Sequence, residues 1–183
     1  MMKTTPSNLK TQAGFTIAEL MVACAIIGLI MAGTFVALRN GSDAYEYGVG
    51  RVEVQENGRV GIDRMIRDLR SASNIIAANQ TSINFQYIDG DTGAVTTVTY
   101  SLDGTDLRRN QTAPAVANNI VIGGVNTLDL RYYDNNHTIT GVVANIRVVD
   151  VRIITQPQAT GLASYNLANQ QATFEDRVRP RNL

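Results

Sequence analysis

Glu19 is the only charge in "QAGFTIAELMVACAIIGLIMAGTFVAL", residues 12–38. An ionised acid inside an apolar membrane helix costs about 2.5–3.5 kcal/mol on insertion scales, so it usually has a partner. The chemistry open to Glu19 is therefore charge pairing, and bond making is not required of it. The rest of the chain offers little catalytic material. His137 is the only histidine, and "DNNHT" around it reads as a polar loop tip. No Ser/His/Asp grouping, phosphate-binding loop or Gly-rich dinucleotide turn is present. "DGDTG" (Asp89 to Gly93) and "DNN" (Asp134 to Asn136) could offer oxygens to Ca²⁺, but neither has the full spacing of a calcium loop. The chain reads as a non-enzyme without cofactor or metal.

The run around Glu19 is long enough to matter. From Leu20 to Leu38 there are 19 residues without a charge, and roughly 20 helical residues cover a hydrocarbon core. The segment is apolar on every face, unlike the core helix of a soluble domain, which would show a polar stripe. It reads as a transmembrane helix. Lys3, Lys10 and the amino terminus precede it, with no acid among the first 14 residues. That pattern places the N-terminus in the cytoplasm and the remainder outside the inner membrane. An ordinary secretory signal would end in small residues forming a cleavage site after the run. Here "GTFVALRNGSD" follows it, and the small residues Ala13 and Gly14 come before it. A cut at that point would keep the helix on the mature chain.

"GFTIAEL", Gly14 to Leu20, resembles the prepilin signature of type IV pilins and type II secretion pseudopilins. The family pattern is a short basic leader ending in Gly, an aromatic, a small polar residue, and Glu four positions after the aromatic. The resemblance implies a pilin-like α+β fold and cleavage by a prepilin peptidase between Gly14 and Phe15. It also implies N-methylation of Phe15 and assembly with other pilins or pseudopilins through the N-terminal helix, on an inner-membrane assembly platform. Glu19 would then meet the Phe15 amine of an adjacent subunit, neutralising both charges in a low-dielectric core and specifying register. The alternative is that Glu19 snorkels to the headgroup boundary.

Composition fits an exported, anchored chain. Both lysines lie in the leader, and from Phe15 onward 14 Arg face 16 Asp plus Glu, a net of −2. No basic nucleic-acid surface is indicated. The only cysteine, Cys24, lies in the apolar run, so no intrachain disulfide can form. Many major type IV pilins carry a C-terminal cysteine pair, and this chain departs from them there.

The elements that must carry this head follow from periodicity. The helix is expected to continue to about Ile76, with Ile62, Met65, Ile66 and Leu69 on one stripe. Asp63 with Arg67 and Arg64 with Asp68 are spaced for i,i+4 pairs. Gly41, Gly48, Gly50, Gly58 and Gly61 each cost about 1 kcal/mol against Ala, which predicts a break or kink between Asn40 and Gly50. From about Gln80 the period becomes two. Ile83, Phe85 and Tyr87 alternate in "SINFQYI", followed by a turn at "DGDTG" and the β-branched "AVTTVTY". Leu128, Leu130 and Tyr132 alternate in "TLDLRYY"; Ile146, Val148, Val151 and Ile153 do so with a slip near Val149 that suggests a bulge. Loops are expected at Asp103 to Asn110 and Asp134 to Asn136. The expected organisation is a leader (1–14), a transmembrane and assembly helix (15–38), a kinked extracytoplasmic helix (39–76) and one antiparallel β-rich domain (77–183).

"FEDRVRPRNL", Phe174 to Leu183, resembles the Val-Arg-x-Arg-Asn ending common among PilW-like and J-type minor pilins and pseudopilins, and Gln55 to Ala72 resembles their helix. These resemblances imply a minor subunit that initiates or modulates a type IV pilus or a secretion pseudopilus. The competing reading is a membrane-anchored binding module that never enters a filament.

Overall fold

A computed structural model describes residues 14–158 and 170–183. Residues 1–13 of the leader, with Lys3, Lys10 and Ala13, lie outside the described residues. Among the described residues, helix α1 runs from Ile17 to Arg70 and is followed by eight strands: β1 (Ala72–Ala78), β2 (Ser82–Ile88), β3 (Val95–Asp103), β4 (Asp106–Ala113), β5 (Ala117–Ile122), β6 (Val125–Tyr133), β7 (Val148–Thr155) and β8 (Ala172–Val178). The fold is α+β, as expected, but the strands form two antiparallel sheets. One has the order β1-β2-β3-β4-β5 and the other β6-β7-β8. The chain divides into two compact units, one ending at Ala44 and one spanning Tyr45–Leu183.

In the first unit every described residue from Gly14 to Ser42 is exposed, and α1 is apolar enough there to cross a membrane. In the second unit α1 buries Gly50, Val54, Gly58, Gly61, Ile62, Met65, Ile66 and Leu69. Spacings of three and four place these on one stripe. Ile62, Met65, Ile66 and Leu69 pack with Ile75, Ile83, Phe85, Val98 and Tyr100 of the first sheet and Leu128, Leu130, Val151 and Ile153 of the second.

No break interrupts α1 between Asn40 and Gly50. Several helix glycines instead serve packing. A Cβ at Gly58 would lie 2.0 Å from the Phe174 ring, and one at Gly61 would lie 2.5 Å from Ile122 Cδ1. These residues let two sheets approach the helix backbone. Gly41 and Gly48 face open space within the chain. Gly58→Ala is therefore expected to destabilise the domain by about 1–3 kcal/mol through overpacking, despite its better helix propensity. Gly48→Ala should stabilise it by up to about 1 kcal/mol. Denaturant midpoints of the two variants should move in opposite directions.

The helix ends at Arg70, earlier than the expected Ile76. Ser71 closes it by donating both its amide (3.2 Å) and its hydroxyl (2.8 Å) to the Asp68 carbonyl. Ser73, Asn74 and the β-branched pair Ile75-Ile76 are poor helix formers, and β1 gains more by pairing with β2 and burying Ile75. The C-terminal segment reinforces this end: the Arg181 amide donates to the Arg70 carbonyl at 3.1 Å, and Asn182 Nδ2 to the Ser71 carbonyl at 3.4 Å. Thus part of the Val-Arg-x-Arg-Asn text closes the helix–sheet junction.

Four further expectations need correction. The loop expected over Asp103 to Asn110 shrinks to a turn at Gly104-Thr105, with Gly104 at φ 61°, and Asp106 already begins β4. Val148 and Val149 are both buried, yet β7 pairs in unbroken register with β6 and β8 there, so no bulge exists. Finally, Asp63 pairs with Arg59 (3.9 Å) and Asp68 with Arg109 (2.9 Å), in place of the two helix pairs expected. The Asp89–Gly93 turn and the Asp134–Asn136 loop do lie between strands.

Candidate functional site

The candidate site is the head of α1. Gly14 has no neighbour that a Cβ would meet within 4 Å, and Phe15 is 91% exposed. Both residues precede the helix, leaving the Gly14–Phe15 peptide exposed and outside regular secondary structure. Such a segment suits a peptidase, because its backbone needs no unwinding before it is bound.

Thr16 begins the helix: its carbonyl accepts the Leu20 amide at 3.2 Å. Glu19 Oε2 accepts the Thr16 amide at 2.9 Å and the Thr16 hydroxyl at 3.0 Å, while the Glu19 amide donates to Thr16 Oγ1 at 3.2 Å. This reciprocal arrangement is a capping box, which satisfies amides left without partners in the first helical turn. The carboxylate also complements the positive end of the helix dipole. Sequence reasoning missed Thr16. The signal was present, since Thr16-Ile17-Ala18-Glu19 has the spacing of a capping box ahead of an apolar run.

Both capping contacts fall on one carboxylate oxygen. Among the described residues no donor reaches Oε1, so Glu19 holds its own helix start through one oxygen and leaves the other free to accept a further donor. Downstream of Glu19 the segment offers no further charge until Arg39.

Other polar groups are structural in their geometry. Asp68, Tyr100, Arg109, Tyr87 and Gln111 form one network between α1 and the first sheet. Burial and the neighbouring Asp68 raise the Tyr100 phenol well above its usual range. His137, with φ 59°, sits in the Asp134 turn, where Asp134 Oδ1 accepts the Asn136 and Thr138 amides. The amides of Thr92 and Asp91 hold the Asp89 carboxyl below its ordinary pKa. Among the described residues no group of three or more His, Cys, Asp or Glu could hold a metal ion.

A model of the prokaryotic N-terminal methylation motif matches residues 9–35. This supports a type IV pilin-like chain. Such a motif implies processing by prepilin peptidase and assembly with other pilins, and with the apolar helix it fits membrane anchoring. No curated protein matches the chain.

Proposed function

We propose that the chain is a minor pilin or pseudopilin, a structural subunit that initiates or modulates assembly of a type IV pilus or a type II secretion pseudopilus. The observation carrying this reading is the head of α1: an accessible Gly14–Phe15 bond, then Glu19 on the first turn of a helix that is apolar from Leu20 to Leu38 and exposed as far as Ser42. Cleavage after Gly14 by a prepilin peptidase frees the Phe15 amine for methylation. The helix anchors the subunit in the inner membrane, with Tyr45–Leu183 on the extracytoplasmic side. The C-terminal text shared with PilW-like and J-type proteins favours a minor subunit.

Mass spectrometry of the membrane fraction tests this reading. The expected mature chain begins with N-methylated Phe15. Gly14→Ala should be tolerated, whereas Gly14→Leu should leave most of the chain uncut by crowding the scissile bond. A wild-type chain still beginning at Met1 would overturn the proposal and favour an anchored module outside any filament. Genetic neighbourhood would separate pilus from secretion pseudopilus.

A further inference from the structure

The outer face of the second sheet carries six charges in register. Asp129, Arg152 and Glu175 form one row across β6, β7 and β8; Arg131, Asp150 and Arg177 form the next. Signs alternate along each row and along each strand. Arg152 pairs with Glu175 at 2.8 Å, Arg131 with Asp129 at 3.1 Å, and Arg177 Nη2 donates to Asp150 Oδ2 at 2.7 Å. The Arg177 guanidinium also lies 5.3 Å from the Tyr133 ring centre. Each row ends at β8 on a charge whose ion-pair partner lies on the β7 side, Glu175 with Arg152 and Arg177 with Asp150, so the alternation could continue onto a further strand.

The other edge of this sheet is already occupied. The Leu130 amide donates to the Gln80 carbonyl at 2.8 Å, and the Tyr132 carbonyl accepts the Thr140 amide at 2.9 Å. On the outer side of β8, among the described residues, only a side chain fills the backbone line: Asp176 Oδ1 accepts the Arg177 amide at 2.7 Å. That amide therefore points away from β7. By the two-residue alternation of an antiparallel ladder, the amides of Glu175 and Thr173 point the same way. The exposed edge of the first sheet, β5, contains no charge from Ala117 to Ile122 and could not dictate a register.

We infer that β8 is a docking edge for an extended strand of another subunit. That strand carries an acid opposite Arg177, a base opposite Glu175 on the same face, and a base between them opposite Asp176. Main-chain pairing supplies attraction, and the charge rows select the partner and register. A second copy of this chain fits less well. Antiparallel pairing about a two-fold axis would satisfy Glu175 and Arg177 but set Asp176 against Asp176, and like charges directly opposite destabilise a sheet. Asp176 thereby guards the edge against self-association. The filament-subunit reading enters only in naming the source of the strand.

The test uses the full chain in detergent at low salt and three fluorescein-labelled peptides differing at three central positions: Thr-Val-Asp-Lys-Arg-Val-Thr, the same with Asp-Lys-Glu, and the same with Ser-Lys-Ser. Anisotropy should show the Asp-Lys-Arg peptide binding at least about fivefold tighter than either other peptide. Glu175→Lys should invert the preference between Asp-Lys-Arg and Asp-Lys-Glu. Thr173→Pro should weaken binding of every peptide while leaving circular dichroism unchanged, since proline is tolerated where an edge amide faces solvent. Equal affinities, no binding at millimolar peptide, or a wild-type chain that dimerises through β8 by crosslinking would each overturn the inference. The assay requires neither cleavage nor filament assembly, so its failure would leave the proposed function standing.

Discussion

Asp68→Ala is expected to lower the unfolding free energy of the Tyr45–Leu183 unit by about 3–5 kcal/mol, the usual consequence of removing one member of a buried ion pair. Arg109 retains only 6% of its exposure. Its Nε donates to Asp68 Oδ2 at 2.9 Å, Nη1 to Gln111 Oε1 at 3.0 Å and Nη2 to the Tyr87 hydroxyl at 3.0 Å. Asp68 is the sole anion in that set, and it also accepts the Tyr100 hydroxyl at 2.8 Å. An acid in the last turn opposes the helix dipole, so its own helix does not account for it. Removing it leaves a guanidinium with neutral acceptors only and a buried phenol without its acceptor. The double variant Asp68→Leu/Arg109→Met should lose much less than the sum of its singles, because no orphaned charge remains. Denaturant midpoints of the full chain in detergent, followed by circular dichroism, would show it. A loss below about 1 kcal/mol for Asp68→Ala would make this pair equivalent to a surface ion pair.

The second large effect concerns assembly. Glu19→Val removes a membrane penalty, so insertion should be unchanged or easier. Cleavage after Gly14 should persist, since Gly14 and Phe15 are intact. Incorporation should fail: a neighbour's Phe15 amine would become an unpaired cation in a dry helix bundle, a defect of several kcal/mol, enough to reduce assembly on the order of a hundredfold or more. The capping box adds a control that separates two duties of one carboxylate. Glu19→Gln keeps an oxygen to accept the Thr16 amide but loses the charge. If helix capping were the whole role, Glu19→Gln would assemble like wild type while Glu19→Val would not. Under the proposed charge pairing, both are processed and both fail to assemble. Processing, membrane level and filament formation or secretion should be assayed separately, in cells lacking the native copy. Normal assembly by both variants would remove the pairing role.

The legible parts of the fold were those where burial and polarity coincide. Ile83, Phe85, Leu128, Leu130 and the α1 stripe from Ile62 to Leu69 are all buried, and each was visible as a period of two or of three to four. β4 was not legible because its inward residues are Leu107 and Arg109. A buried arginine reads as a loop residue until Asp68, 41 positions away, is known to be its partner. β5 contributes one fully buried apolar side chain, Ile122. Glycine misled for a related reason: Gly58 looks like a helix breaker locally, and its use appears only when Phe174 is placed against it. At the head of α1, Glu19 was conspicuous for its cost, whereas Thr16 was ordinary until their hydrogen bonds were drawn.

Strand order follows chain order in both sheets, from β1 to β5 and again from β6 to β8. Each strand after β1, other than β6, therefore finds its partner in the segment made just before it, and no pairing waits for a distant part of the chain. Local pairing of this kind lowers the loop-closure cost and shortens the search. Under the proposed topology, in which the chain is threaded outward through a membrane from an anchored end, the sheets can form in the order in which they emerge. That leaves little time for an unpaired edge to meet another chain before the domain has closed.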